Sequence, residues 1–446
     1  MTPTFGKTPV AAPPRAPLTT SRIFWVWLPM AATWIMMSVE GLLVAAVVAR
    51  LPDATVNLAA FGVAFAFALI LEAPIIMMLS ASTALCKDRE AFRSLRRFGA
   101  TLNLGLTLLM LAWTLSPLYP WVAQTVMSLD PKVAELSRQA LLVLLPWPAA
   151  IGFRRFYQGL LVRHGHTRRI AYGTMIRVSG MGVSAWLLFD ADIPGAVIGG
   201  VALSVAVLVE AVATRFMVAD CVREILVTPR NGEPLTTPKI LHFYIPLLVS
   251  SVIALAIHPL VNLFLGHSRL ALESLATYPV VAALAFVFRS MGLSFQEVAI
   301  AFMDGSRQRF DKLVRFAMGL GAGACVLQGV MALTPLSGLW FGHVAGLAPN
   351  LVDLSVPALQ ILVTMPIFSV MLAFYRALLV WSTETRGITW AGLIETVAVL
   401  SLLWVLIQPV NMIGVYAASW ATLIARGVDL TALYFWGKPI IRRLLR

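Results

Sequence analysis

The chain has 446 residues, of which 59% are hydrophobic and 12% are charged, and its mean hydropathy is +0.84. A soluble protein of this size could not bury so much apolar surface, so the composition excludes that class and predicts lipid as the solvent for much of the chain. The formal net charge of +13 is typical of nucleic-acid-binding proteins, but the positions of the basic residues argue for a different explanation.

Twelve apolar stretches, each long enough for a transmembrane helix, follow one another along the chain. A helix needs about 20 apolar residues to cross a hydrocarbon core of about 30 Å. Barrel strands would instead show alternating segments of about ten residues, which the sequence lacks. We therefore predict an all-α polytopic membrane protein with spans near 23–49, 57–86, 98–118, 137–158, 169–190, 192–219, 239–265, 272–302, 313–335, 354–380, 387–409 and 411–437.

The basic residues are concentrated on one side of the predicted membrane. About 27 of the 34 Lys and Arg residues lie before the first span, or within or beyond the cytoplasmic end of an even-numbered span, with Arg154, Arg155 and Arg376 among them. The other side has about four: Arg50, Lys132, Arg138 and Arg269. This positive-inside pattern predicts a bacterial inner-membrane protein with both termini in the cytoplasm. It also accounts for the net charge, so we expect no nucleic-acid partner.

The chain divides into two lobes of six predicted helices. Residues 1–20 are rich in Pro, Thr and Ala and are predicted to form a disordered cytoplasmic tail. We place the N-lobe at 21–219, a turn-rich cytoplasmic linker at 220–238, and the C-lobe at 239–446. The cysteines, Cys86, Cys221 and Cys325, lack metal-binding spacing, and we interpret them as incidental.

The two lobes are copies of one unit. LAAFGVAFAFAL, which begins at Leu58, matches LATYPVVAALAF, which begins at Leu275. FYQGLLV at 156–162 matches FYRALLV at 374–380, and Glu210 matches Asp429. The offset drifts from about 217 through about 218 to about 219, as small loop insertions in a true repeat would produce.

Because each copy has an even number of spans, the copies have parallel topology about an axis along the membrane normal. Such a pair of lobes suits alternating access, in which the lobes rock about a site between them. Two architectures fit, the multidrug and toxic compound extrusion (MATE) type fold and the major facilitator fold.

Several charged residues fall inside predicted spans, where an ionised side chain costs about 2.5–3.5 kcal/mol on insertion scales. The repeat makes Glu72 equivalent to Arg289, and Arg177 equivalent to Glu395, with opposite signs in each pair. These residues predict a cleft in which Arg289 and Arg177 attract an anion and Glu72 or Glu395 carries a coupling proton. The alternative interpretation is a static latch between lobes or between neighbouring helices.

Further candidates lie in the first, seventh and twelfth spans. Glu40 is at mid-span and is predicted as a lone proton or cation site, with a protonated structural Glu as the alternative. His258 and Asn262 flank the helix-breaking Pro259 in IHPLVNLF and are predicted to bind substrate, or merely to mark a packing kink. Asp429 is a further ion-coupling candidate, although Arg426 at i−3 on the same helix is predicted to neutralise it.

The sequence contains no P-loop, HExxH, GxSxG or paired CxxC motif. We therefore predict that the protein is not an enzyme and has no cofactor beyond a coupling proton or sodium ion.

HPLVNLF at 258–264, followed by LATYPV at 275–280, resembles the seventh and eighth helices of the progressive ankylosis protein family. VEGLLVAAVVARL at 39–51 and GLLVRHG at 159–165 resemble further segments of that family. The resemblance implies a MATE-like transporter that exports organic anions such as citrate, nucleotides or pyrophosphate-related species. Glu40 and Asn262 match family positions, whereas the intramembrane arginines have no reliable match. The facilitator loop signature is poorly met by CKDREAFRSLRRFG, which also favours the MATE-type fold.

We therefore predict a secondary active exporter of a small organic anion, an antiporter driven by a proton or sodium gradient, which works as a monomer within membrane lipid. One alternative is efflux of lipophilic cations through Glu40 and Glu72, with Trp34 and Phe65 lining the cleft. A second is flipping of a lipid-linked glycan. A scaffold or receptor is a third, but the predicted loops leave little surface for partners.

Overall fold

The computed structural model describes residues 18–229, 234–382, 384 and 386–445. Twelve long helical segments, α1 to α12, form its framework. The first half contains α1 (Thr20–Val48), α2 (Ala54–Leu85, broken at Met77), α3 (Arg89–Leu115), α4 (Pro131–Val143 and Pro146–Arg163), α5 (Thr167–Leu187) and α6 (Gly195–Met217). The second half contains α7 (Thr237–Gly266), α8 (Ala271–Phe302), α9 (Arg307–Leu333), α10 (Pro349–Ile361 and Met365–Trp381), α11 (Arg386–Ile407) and α12 (Gly414–Leu445).

These segments agree with the twelve predicted spans. Within the described residues, eight helices are long and apolar enough to cross a membrane, and the bent pairs of α4 and α10 raise the number to ten. The remaining two, α5 and α12, are less apolar because charged side chains such as Arg177 and Asp429 lie within them. The all-helical, multi-pass prediction is therefore confirmed.

Local sequence signals explain where several helices begin. The Asp88 carboxylate accepts a hydrogen bond from the Ala91 amide at 2.9 Å, which caps the first turn of α3. Asp130 caps α4 in the same way, and Pro131 follows at the first helical position, where its missing N–H leaves no donor unsatisfied.

The two halves share the same irregularities. A short π-helical segment at Val122–Val126 recurs at Trp340–Val344, about 218 residues later. The bend of 41° within α4 recurs as a bend of 45° within α10. Since such defects are set by local sequence, their repetition at one offset supports the internal duplication.

The lobes pack together in the half of the molecule that lies farther from the two chain ends. We call that end of the molecule the opposite face. A single apolar core there contains residues of both lobes, such as Val44 and Leu58 with Leu265 and Leu284. Gly62 makes this approach possible, because a Cβ at that position would lie 3.1 Å from the Pro279 side chain.

Polar contacts at the opposite face are also duplicated. The Arg50 guanidinium, after α1, donates hydrogen bonds to the carbonyls of His343 and Val344, both at 2.7 Å. His267, after α7 at the equivalent position, lies 3.1 Å from the Ser128 hydroxyl. Each lobe thus contributes one contact that holds the opposite face closed.

At the other end, which we call the termini face, the apolar core divides in two. One part joins the start of α1 to the C-lobe, and the Trp27 ring lies 6.2 Å from that of Phe316. The other joins the start of α7 to the N-lobe, and the Tyr244 ring lies 5.2 Å from that of Phe98. At this face the contacts between lobes are therefore made by α1 and α7, each packed against the other lobe.

Two predicted segment boundaries differ from the structure. Most of the tail predicted at 1–20 lies outside the described residues, but Leu18 is buried and α1 begins at Thr20. The linker predicted at 220–238 contains a helix, Ala219–Val227, which buries Cys221, Val222 and Ile225. The spacing of these three apolar side chains places them on one helical face, and that pattern overrides the turn-rich composition that follows it.

Candidate functional site

A buried ion-pair network joins four helices of the N-lobe. Arg177 on α5 donates from Nε to the Glu40 carboxylate of α1 at 2.6 Å and lies 3.5 Å from the Glu210 carboxylate of α6. Glu210 also pairs with Arg154 of α4 and accepts a hydrogen bond from Gln158 at 3.1 Å. The side chains of the four ionised residues are 0–12% exposed. Two carboxylates therefore balance two guanidinium groups in a site with little access to water.

This network corrects two predictions. Glu40, predicted as a lone proton or cation site, is instead paired with Arg177. Arg154, assigned to the cytoplasmic side by its place in the sequence, is buried against Glu210. Arg154 lies nine residues before the end of α4 at Arg163, which keeps its side chain within the lobe, and Glu210 supplies the charge that makes this burial tolerable.

The C-lobe holds a second network at the equivalent place. Arg376 of α10 donates to the Asp429 carboxylate of α12 at 2.8 Å and lies 3.9 Å from Glu395 of α11. The Arg426 Nε lies 3.0 Å from the other Glu395 oxygen. Arg426 and Asp429 do not pair with each other, contrary to the sequence prediction, because each side chain points toward a different neighbouring helix.

The repeat relates the two networks residue by residue. Gln158 corresponds to Arg376, Glu210 to Asp429, and Arg177 to Glu395. The side chains in the C-lobe network are up to 24% exposed, compared with 12% in the N-lobe. Asp429 is fully buried, and its Oδ1 has no hydrogen-bond partner among the described residues.

Glu72 and Arg289 do not form a pair. Glu72 on α2 is buried and accepts a hydrogen bond from the Trp147 indole at 3.0 Å. The Arg289 guanidinium on α8 forms no ion pair within the described part of the chain, and its Nε is buried without a hydrogen-bond partner. The repeat places the two residues symmetrically, but each side chain stays within its own lobe.

Arg289 borders the C-lobe network and α7. It is close enough to Arg426, Glu395 and Arg376 to interact with them electrostatically, and it also interacts with His258. Counted together, three arginines face two carboxylates, so this region carries an excess positive charge. His258 is exposed although it lies well inside α7, and Arg289 is partly exposed, which indicates an accessible space beside them.

Asn262, the other predicted substrate residue on α7, contributes to the closed opposite face. Its side-chain amide donates to the Gly62 carbonyl of α2 at 3.2 Å, which joins the two lobes. Asn262 therefore lies in the contact region between lobes, one helical turn from His258.

Sequence reasoning missed Arg154, Gln158 and Arg376 as members of the buried networks. A signal was present, because FYQGLLV and FYRALLV place a polar side chain at the same position of both halves. The equivalence of Glu210 and Asp429 supplied the partners. Those two facts combined would have indicated a buried polar contact between the fourth and sixth helices of each lobe.

Two cysteines lie outside the membrane-spanning helices, Cys86 and Cys221, and both are buried. Burial raises the pKa of the Cys86 thiol to about 12 and raises the pKa of Cys221 as well. Both thiols are therefore protonated and inert at neutral pH. Within the described residues, no group of three or more His, Cys, Asp or Glu side chains has metal-binding geometry.

Comparisons with known proteins identify the fold. The family model described as MatE matches residues 29–185, which lie in the N-lobe. An inward-facing multidrug resistance MATE family transporter of the MOP superfamily superposes with a TM-score of 0.73 at 14% identity, over 94% of this chain and 98% of that one. The lipid II flippase MurJ, in an inward closed conformation, gives a TM-score of 0.69 at 14% identity, over 94% and 89% of the two chains.

A MOP superfamily transporter from Pyrococcus furiosus, whose binding pocket is described as having reverse polarity, gives a TM-score of 0.59 at 14% identity, over 96% of this chain and 97% of that one. No curated protein matches the sequence. The chain is therefore a multi-pass membrane protein with the fold of the MATE transporters, and the major facilitator alternative is set aside. The shared fold and the family match support a membrane transporter.

Proposed function

We propose that this chain is a MATE-like secondary transporter that exports a small organic anion by alternating access, with a proton as the coupling ion. The observation that carries the proposal is Arg289, a partly exposed arginine inside the membrane whose buried Nε has no hydrogen-bond partner and which forms no ion pair among the described residues. A cation in that position is costly unless a counter-charge arrives, and an anionic substrate supplies one. His258 beside it offers a second polar contact.

The C-lobe network supplies a place for the coupling proton. We assign the coupling proton to Glu395 and Asp429, two carboxyl groups that lie 3.9 and 2.8 Å from the same Arg376 guanidinium. Arg376 and Arg426 hold these carboxylates from the other side. Loss of that proton adds a negative charge near Arg289, which competes with the substrate anion. The proton and the anion are therefore bound together and released together, which is cotransport and differs from the antiport that the sequence predicted.

The N-lobe network serves a different purpose in this proposal. Its two carboxylates and two guanidinium groups balance, the neighbouring Arg155 is offset by Glu72, and the side chains of the network are nearly inaccessible. Arg177 occupies the space between Glu40 and Glu210, so no cation is needed there. We assign Glu40 and Arg177 to holding the N-lobe together rather than to binding sodium or substrate. Glu72, bonded to Trp147, has the same structural role.

Two features favour the anion over the other transport classes. A transporter of lipophilic cations needs an unpaired carboxylate in the cleft, whereas both Glu40 and Glu72 are already partnered. The resemblance of the seventh and eighth helices to the progressive ankylosis family also points to anions such as citrate or nucleotides. A lipid-linked glycan flippase is the second candidate. The observation that favours it is the architecture that this chain shares with the lipid II flippase MurJ.

The test is mass spectrometry of the medium from cells that express the wild type, Arg289→Gln or Arg269→Gln at equal membrane levels. Arg269 is the matched control, because it is an exposed arginine at the opposite face. We expect an organic anion to accumulate outside cells with the wild type and with Arg269→Gln, but not with Arg289→Gln. Equal export by all three proteins contradicts the assignment of Arg289, and a cell-envelope lipid that changes in place of an anion supports the flippase.

A further inference from the structure

The outer surface of α12 carries a continuous stripe whose chemistry changes along its length. Ile424, Val428, Thr431 and Phe435 lie at alternating spacings of four and three residues, which places them on one face of the helix. Lys438 and Arg442 continue the same spacing toward the termini face. From Ile424 to Arg442 the stripe is about 27 Å long, close to the thickness of a hydrocarbon core.

The apolar part of the stripe is a groove. A cavity of about 600 Å³ lies between α12 and side chains of α10 and α11, with Phe368 and Ile394 as its other walls. Gly427 leaves space in it, since a Cβ at that position would come no nearer than 3.9 Å to the Phe368 ring. The groove faces outward from the lobe, away from the cleft that contains Arg289.

The basic part is a second cavity at the end of the groove. It has a volume of about 280 Å³ and is lined by Phe435, Lys438, Pro439, Arg442 and Arg443. Lys438 and Arg442 have no acidic partner among the described residues, and Arg443 has a distant one, with its Nη1 3.9 Å from Glu384. Phe435 lines both cavities, so the basic end and the apolar groove form one site.

We propose that this stripe binds an anionic phospholipid from the membrane leaflet at the termini face. The headgroup phosphate lies among Lys438, Arg442 and Arg443, and one acyl chain lies in the groove between Ile424 and Phe435. The order of the two parts matches a lipid in that leaflet, with the charged end at the membrane surface and the apolar end toward the bilayer centre. This site goes beyond the proposed transport function, because it lies outside the cleft and does not involve Arg289.

The test is native mass spectrometry of the full-length protein, purified in detergent and incubated with either phosphatidylglycerol or phosphatidylcholine of the same acyl composition. We expect tighter retention of phosphatidylglycerol. The variant Lys438→Gln/Arg442→Gln/Arg443→Gln should weaken its binding by about a hundredfold, since each basic residue near a membrane surface contributes about a fivefold gain. The matched control is Arg93→Gln/Arg96→Gln/Arg97→Gln, which removes the same charge from exposed residues at the same face.

A second variant tests the groove and remains informative if the triple variant does not fold. Gly427→Leu places a side chain in the acyl-chain space and should weaken phosphatidylglycerol binding, while all three cations remain. Glycerol phosphate serves as competitor, and we expect no displacement of bound lipid at equal concentration. Equal retention of the two lipids, an equal loss in the control variant, an unaffected Gly427→Leu, or displacement by glycerol phosphate each overturns the proposal. Because the measurement is binding, it is independent of the transport assay.

Discussion

Removal of the Glu210 charge should destabilise the protein far more than removal of an exposed carboxylate. Glu210 is fully buried and balances Arg154, whose side chain is 6% exposed. In Glu210→Gln the shape is kept, Gln158 can still donate to the new amide oxygen, and Arg177 keeps Glu40 as its partner. The change therefore leaves Arg154 as a buried charge without a counter-charge. Breaking a buried pair in this way costs about 3–5 kcal/mol.

The matched control is Glu135→Gln. Glu135 pairs with Arg138 through the same two side-chain types, but the Glu135 side chain is 48% exposed. An exposed pair of this kind contributes about 0.2–1 kcal/mol. The double variant Glu210→Gln/Arg154→Met removes both charges of the buried pair, so it should recover most of the lost stability.

The assay is the free energy of unfolding in mixed detergent micelles, measured for the wild type, both single variants and the double variant. We expect the order wild type, Glu135→Gln, double variant and then Glu210→Gln, from most to least stable. If Glu210→Gln is no less stable than Glu135→Gln, or if the double variant is no better than Glu210→Gln, the unpaired charge is not the cause and the reasoning fails.

Three further predictions concern the thiols, the opposite face and the charged cleft residues. Cys86 and Cys221 should stay unlabelled by N-ethylmaleimide between pH 7 and pH 9, because a raised pKa keeps each thiol protonated below it; rapid labelling at pH 7 would show that they are accessible thiolates. Arg50→Gln removes two hydrogen bonds between the lobes. A cysteine placed at Asn262 should then react about tenfold faster with an impermeant maleimide added at the opposite face. An unchanged rate would mean that Arg50 does not hold that face closed. In a double-mutant cycle of unfolding free energies, Glu72→Gln and Arg289→Gln should be additive within about 0.5 kcal/mol, because Glu72 is hydrogen-bonded to Trp147 and not to Arg289. A larger coupling energy would indicate that Glu72 and Arg289 interact directly.

Much of the fold follows from the sequence, because membrane insertion imposes strong and simple rules. Apolar length, the distribution of Lys and Arg, and the internal repeat each predict six helices per lobe, and the structure has that architecture. The bends within α4 and α10 were not predicted. Pro148 and Pro366 lie near these bends at equivalent positions of the repeat, but a proline alone does not fix the size or direction of a bend.

The candidate site was predicted less completely, for a physical reason. Hydropathy reports the depth of a residue along the membrane normal, but it does not report which helix an arginine side chain reaches. Arg154 and Arg376 were therefore assigned to a surface, although their long side chains extend to Glu210 and Asp429. The equivalence of Glu72 and Arg289 was found from the repeat, yet symmetry of position did not imply contact. The pairings within each lobe depend on side-chain direction, which only the three-dimensional structure provides.

The most direct test of the central claim is anion flux into proteoliposomes under an imposed pH gradient, with radiolabelled citrate as the first probe and nucleotide as the second. The account predicts proton-dependent flux for the wild type and for the control Arg269→Gln. It predicts a loss of about 10- to 100-fold for Arg289→Gln, as expected when one charge-assisted contact of about 1.5–3 kcal/mol is removed. Undiminished flux through Arg289→Gln, or flux of lipophilic cations with no flux of either anion, would contradict it.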